Sequence, residues 1–257
     1  MRELEKQFHI DCKNGDVGKY VILPGDPGRC EQIAQYFDNS WFQHSNREFN
    51  IWNGSLDGEL VTVCSTGIGA PSASIAMEEL AAIGAKVFIR CGTCGGINLK
   101  VAPGDLVIPN GSVRYEHTST EYAPIEYPAV PDFELTSLVQ KASNNLNYNS
   151  HVGVIQCKDA FYGQHSPEKM PVSYELLDKW EAWKRLGVLA SEMESSALFV
   201  ISNALNVKCA TVLHTVWNTE REKQGIVDDM DTTTDKAAQV AVEALRLAVQ
   251  NDLAGNE

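Results

Sequence analysis

The stretch Lys86-Val-Phe-Ile-Arg90-Cys-Gly-Thr93-Cys-Gly95-Gly96-Ile97 constrains the fold more than any other. Val87, Phe88 and Ile89 are apolar without alternation. That predicts a strand buried on both faces, as in a parallel sheet covered by helices. Arg90 is expected at the strand's carboxyl end, and Gly92, Thr93, Gly95 and Gly96 predict a tight loop whose amides a ligand can approach. Ligands of open α/β sheets bind beyond such strand ends. An arginine there offers a permanent cation with a fork suited to an oxyanion. A solvated arginine would look the same, and this stretch does not choose between the two. Cys91 and Cys94 have C-x-x-C spacing, but no second ligand pair accompanies them, so they are expected as loop residues.

The same strand–turn–helix pattern recurs along the chain. Tyr20–Leu23 is a short strand that breaks at Pro24-Gly25-Asp26-Pro27-Gly28-Arg29 before a helix over Cys30–Phe37. Arg29 thus falls at a helix start, where backbone amides favour anions. Arg47 precedes a strand and a hairpin turning near Asp57-Gly58. Leu60–Cys64 leads through Gly67-Ile68-Gly69 to a helix over Ala73–Ile83. Ser72 stands where a dinucleotide fingerprint needs its third glycine, which argues against a nicotinamide cofactor. Residues 110–135 read as a long loop, and His151–Ile155 as a strand running into a polar loop at 158–166. Tyr174–Leu186 reads as a helix and Lys208–Val216 as the last core strand. Residues 219–231 form a candidate lid, and an amphipathic helix follows from Asp231 to about Leu253 and Gly255. No repeat or linker divides the chain. The expectation is one α/β domain over residues 1–257, a mixed, twisted central sheet flanked by helices, with residues 1–19 as a polar arm.

Bulk properties exclude several classes. The net charge of −13 on 257 residues opposes nucleic-acid or anionic-membrane partners. No apolar run approaches the ~20 residues of a membrane span. The N-terminus has no apolar signal-like core. Seven scattered cysteines suggest reduced thiols and a cytoplasmic location. A small anionic substrate stays open if arginines are concentrated locally.

Arg29, Arg47 and Arg90 all adjoin strand ends or turns, and Thr93 with the glycine amides adds donors, so phosphate is the natural anion. Glu192 and Glu194, at i and i+2, do not share a helix face. One can enter a site while the other caps the helix. Glu194 suits a sugar diol, Gln164 an imide-like base edge, and Phe161 a stacked base. Phosphate, sugar and base together describe a nucleoside and phosphate site.

The motifs PGDPGR, SNREF, CSTGIGAPSASIAMEEL, FIRCGTCGGI, GDLVIP, FYGQ and SEMESSALF resemble the nucleoside phosphorylase-I family, nearest its bacterial uridine-cleaving members. The resemblance spans roughly residues 8–249. It implies that family's fold, a single α/β domain with a partly barrel-like sheet. It implies a cytoplasmic enzyme of nucleoside salvage, a pentosyltransferase that cleaves uridine, and 2′-deoxyuridine too, with phosphate. A homohexamer built as a trimer of dimers is implied, with sites shared across each dimer. Gly25, Arg29, Arg90 and Thr93 would bind phosphate, and Arg47 would reach in from the neighbour. His9 from the neighbour, with Met193 and Glu194, would bind ribose. Phe161 and Gln164 would bind the base. No cofactor is implied beyond a possible structural K+ at Glu48, Ile68 and Ser72. Catalysis would rest on Arg90, Glu194 and a base-site donor.

The sequence departs from the family at that donor. Ser166 stands where an arginine is usual, two residues after Gln164, so His165 or Lys158 is expected to contact the base, with Lys169 a weaker candidate. Thr219 replaces a second arginine, and Trp217 is larger than the usual aliphatic. The alternatives are a purine nucleoside phosphorylase, a nucleosidase, and a non-catalytic nucleoside-binding protein. Asn218, where the hexameric purine enzymes place an aspartate, argues against the first. The three arginines argue against the second.

Overall fold

A computed structural model describes residues 6–251. Residues 1–5 of the expected arm, and the expected helix end at Leu253 and Gly255, lie outside the described residues. Nine strands form one sheet: β1 (Tyr20–Pro24), β2 (Ser40–Asn46), β3 (Phe49–Leu56), β4 (Glu59–Cys64), β5 (Val87–Gly96), β6 (Leu106–Tyr115), β7 (Ser150–Lys158), β8 (Ala190–Glu192) and β9 (Lys208–Trp217). The α-helices are α1 (Arg29–Ala34), α2 (Ala70–Ala82), α3 (Phe133–Asn145), α4 (Phe161–His165), α5 (Ser173–Arg185), α6 (Ser195–Ala204), α7 (Thr219–Lys223) and α8 (Asp235–Gln250).

The strand order is β2-β3-β4-β1-β5-β8-β7-β6-β9, and β9 also pairs with β5. Strands β5, β8, β7, β6 and β9 therefore close into a barrel, while β1 to β4 extend from it as an open flap. β1 lies parallel between β4 and β5, and all five of its residues are buried. The β3–β4 hairpin turns at Asp57 (φ 50°) and Gly58 (φ 87°), the left-handed pair that a tight twisted hairpin requires.

Two expectations are corrected at the barrel. The glycine-rich stretch after Arg90 is strand, not loop: β5 continues to Gly96 and pairs with β9 along its length, with an irregularity between Cys94 and Gly95. These glycines mark close approach rather than a turn. A Cβ on Gly92 would come within 2.7 Å of the Arg90 guanidinium, and one on Gly96 within 2.5 Å of the Asn218 amide. Cys91 and Cys94 are likewise strand residues. Burial pushes their thiols up to about 11 and about 12, so neither is a reactive thiolate. The expected loop at 110–135 begins as strand, because β6 continues past an irregularity at Pro109/Gly111 and pairs with β7 as far as Tyr115. The remainder is tied down by Arg114, whose guanidinium donates to the carbonyls of Ser119, Ala123, Pro124 and Tyr127.

Three apolar clusters hold these layers. Helices α1, α3 and α8 cover one face of the sheet. Helices α2 and α6, with Ile10 and Cys12 of the N-terminal segment, cover the other. A small cluster including Val107, Ile155 and Leu213 belongs to the barrel strands. Helix α5 has no buried residue. Its apolar side, Leu176, Leu177, Trp180 and Trp183, lines a cavity rather than the core.

Asn218 joins barrel to helix. Its amide donates to the carbonyls of Asn98 and Val101, and its oxygen accepts from the Glu220 and Arg221 amides at the start of α7. Gly96→Ala is therefore expected to lower stability by ~1–3 kcal/mol through overpacking, measured by urea denaturation of both proteins.

Candidate active site

A cleft of about 1030 Å³ opens among β1, β5, β8 and β9 and the loops that follow them. It is lined by Gly25, Arg29, Arg90, Thr93, Lys158, Phe161, His165, Met193 and Glu194, so nine residues predicted for the site meet in one chain. Met193 and Thr93 are half-buried on its wall.

The cationic end is built on β5 and α1. Arg90 points from mid-strand, not from a strand end, and is only 4% exposed. Its Nε donates to Glu192 Oε2 at 2.9 Å, and its Nη2 pairs with Glu194 Oε2. Its Nη1 is buried with no hydrogen-bond partner, as is Arg29 Nη1. Buried guanidinium donors without acceptors are costly, and both arginines line the cleft, where an oxyanion is the natural partner of a guanidinium.

The two carboxylates have different tasks. Glu192 accepts from the backbone amides of Glu194 and Ser195, capping the start of α6. Burial raises its pKa, but Arg90 and these amides more than offset it, leaving the carboxyl below its ordinary value. Glu194 also accepts from the Gly69 amide at 2.5 Å. Burial is its largest influence, only partly opposed by Arg90 and reinforced by Glu192, so its carboxyl lies above its ordinary value. The expectation that one carboxylate caps and the other enters the site matches these contacts, except that both also grip Arg90.

The opposite end is built on β7, β8 and α4. Phe161 is 49% exposed in the cleft, with its ring 4.2 Å from that of His165. His165 is exposed; burial and then Lys158 lower its pKa, favouring the neutral ring. Lys158 is 5% exposed, and its Nζ donates to Ser191 Oγ at 2.7 Å. Gln164 does not line the main cleft. It lines an adjoining cavity of about 430 Å³ and meets Ser191 Oγ at 2.7 Å. Lys158 and His165 line both spaces. Lys169 is exposed and lines neither.

Two predicted residues are elsewhere. Arg47 is exposed at the tip of the β2–β3 hairpin, with φ 55°, and His9 is held by Glu79 through its ring at 2.6 Å and its backbone amide. Neither lines the cleft. Glu48 and Ser72 do meet, Ser72 Oγ donating to Glu48 Oε1 at 2.7 Å, and this bond holds the Glu48 carboxyl below its ordinary value. Ile68 is exposed on the cleft's lip. Among the described residues no group of three His, Cys, Asp or Glu side chains is placed to hold a metal ion.

Sequence reasoning did not single out Ser191, Gln156 or Met230. The first two meet because β8 pairs with β7 in a register that sets Gln156 opposite Ser191, which no local pattern announces. Met230 reaches the cleft from the expected lid. That segment is pinned: Arg221 pairs with Asp228 at 2.6 Å and donates to the Leu99 carbonyl.

Gly92→Ala would push the Arg90 guanidinium off its two carboxylates. We expect it to weaken phosphate binding by roughly 10- to 100-fold, the scale of a misplaced site group. Phosphate-dependent protection against thermal unfolding measures this.

A family model described as the phosphorylase superfamily matches residues 19–250. A uridine phosphorylase of Treponema pallidum is 48% identical over 246 residues, covering 96% of this chain and 95% of that protein. A guanosine phosphorylase of Halorubrum lacusprofundi is 38% identical over 96% of this chain and 98% of its own. A uridine phosphorylase of Escherichia coli is 37% identical over 93% and 96%. With the match running from β1 to the last residue of α8, the chain belongs to the phosphorylase superfamily.

Proposed function

We propose that this protein is a pentosyltransferase that cleaves uridine reversibly with phosphate to uracil and ribose 1-phosphate, with 2′-deoxyuridine a second substrate. The observation that carries this reading is a single cleft with two unpartnered guanidinium donors at one end. A carboxylate lines the same cleft, as do the aromatic Phe161 and the Lys158 ammonium, and the Gln164 amide lies in the adjoining cavity. The uridine phosphorylases at 37–48% identity support the base assignment. Asn218 supports it too: its nitrogen donates to the Asn98 and Val101 carbonyls and its oxygen caps α7, and it brings no acid to the base.

In this reading phosphate sits on Gly25, Arg29, Arg90 and Thr93. It draws Arg90 Nη2 away from Glu194, which then accepts from the ribose hydroxyls with Met193 beneath. Phosphate attacks C1′ opposite the base, and its charge stabilises the oxocarbenium-like transition state. Phe161 stacks on the base, Gln164 reads its edge, and His165 and Lys158 are the available donors. Positioning and electrostatics carry the reaction without a covalent intermediate.

The site is completed by a second copy. Arg47 and His9 lie away from their own cleft, on a hairpin tip and a helix-anchored segment, which is where groups supplied to a neighbour would be. The resemblance to hexamers built of dimers agrees with this. A K+ ion would find the Glu48 carboxylate, Ser72 hydroxyl and Ile68 carbonyl, a set of oxygens that a facing copy would double.

Uracil release from uridine is expected to require inorganic phosphate and to exceed base release from inosine or guanosine, followed spectrophotometrically. Phosphate-independent cleavage would point to a nucleosidase, and no cleavage to a binding protein. For the shared site, mixing inactive Arg47→Ala with inactive Arg90→Ala protein should restore part of the activity, since a mixed dimer contains one intact site. Mixed oligomers as inactive as either parent would refute sharing.

A further inference from the structure

Lys158 stands out as a buried cation. It lies at the end of β7, 5% exposed, and forms no salt bridge among the described residues. Its one hydrogen bond is to Ser191 Oγ at 2.7 Å. Burial lowers its pKa, and the charges of Glu192 and Glu194 oppose that shift without cancelling it. The same low-dielectric setting makes it a strong stabiliser of any negative charge that forms beside it.

The contacts of Ser191 show how the ammonium is held. Its hydroxyl lies 2.5 Å from Gln156 Oε1 and 2.7 Å from Gln164 Oε1. A hydroxyl has one proton and two lone pairs. Lys158 occupies one lone pair, and the proton serves one glutamine oxygen. The other glutamine must then turn its amide nitrogen toward the remaining lone pair. Lys158, Gln156 and Gln164 therefore share the Ser191 hydroxyl as a common partner. Two of these side chains project from barrel strand β7 and one from β8, so the ammonium is aimed by paired strands. His165 makes no side-chain hydrogen bond among the described residues: it is exposed, favours its neutral form, and lies against the Phe161 ring.

We propose that Lys158, aimed by Ser191 and Gln156, is the catalytic residue that stabilises the departing base. The inference rests on the uridine reading above and goes beyond it by choosing Lys158 over His165 and by giving Ser191 and Gln156 positioning roles. In the forward step a phosphate oxygen bonds to C1′ and the C1′–N1 bond breaks. The electron pair passes to the base, giving a uracil monoanion with charge on N1, O2 and O4. The Lys158 ammonium offsets that charge. The proton lost by the phosphate enters solvent and the base takes one from solvent, so the net transfer is from phosphate to uracil.

The test compares uridine with 5-fluorouridine, whose base forms the more stable anion and needs less help to leave. At saturating phosphate, Lys158→Met should lose about 100-fold in kcat/KM for uridine, the scale of removing one preorganised stabiliser. It should lose at least about fivefold less for 5-fluorouridine. Lys158→Arg, which keeps the charge, should restore much of the rate and return the ratio toward the wild-type value. Ser191→Ala should shift the ratio in the same direction by less, which a purely structural defect would not do. Both substrates are measured on one preparation, so the ratio is independent of how much of a variant folds. Equal losses on both substrates in Lys158→Met would overturn the proposal, as would a ratio shift confined to His165→Ala. Failure of the wild-type protein to cleave either nucleoside would instead overturn the uridine reading itself.

Discussion

The guanidinium of Arg90 is buried between Glu192 and Glu194, and much of the site depends on that arrangement. An isolated charge in such a place would be expelled or neutralised; two carboxylates and a set of backbone amides make it tolerable. Removing either partner of such a group typically costs about 3–5 kcal/mol, because the other charge remains buried. The arrangement also has a function. Glu192 is committed to capping α6, whereas Glu194 holds Arg90 and the Gly69 amide, both of which line or adjoin the cleft. In the proposed reaction an incoming anion would compete with Glu194 for Arg90, and a Glu194 so released would accept from sugar hydroxyls. One ion cluster would then couple phosphate to sugar.

Barrel closure makes this geometry possible. β5 pairs with β1 in the open flap and with β9 and β8 in the barrel. Arg90 therefore meets carboxylates that follow it by about a hundred residues. The same closure sets β7 beside β8 and gathers Gln156, Lys158 and Ser191 at the far end of the cleft. Glycine on β5 serves space rather than flexibility. Gly92 leaves room for the guanidinium, and Gly96 for the Asn218 cap that starts α7.

Strands buried on both faces were legible because continuous apolar runs leave few alternatives: Tyr20–Leu23, Leu60–Cys64 and Val87–Ile89 all stand in the sheet. The Asp57-Gly58 turn was legible because few other pairs accept two left-handed residues in succession. Strand extent was not. Gly92–Gly96 and Asn110–Tyr115 have weak intrinsic strand preference, and only pairing partners from distant segments hold them extended.

The sequence alone determined which chemistry this protein carries. Its residue types and motif order singled out Arg29 and Arg90, Glu194, Phe161 and Gln164, because those groups sit in short segments with local signatures. Tertiary structure alone decided how they work together. It made Arg90 a mid-strand side chain held by two acids, set Gln164 behind Ser191 rather than in the open cleft, and left Arg47 and His9 outside the cleft. It also drew Lys158 into a buried network with Gln156 and Ser191. These outcomes depend on strand register and barrel closure. Both are set by pairings between residues far apart in the chain, and local pattern carries no record of them.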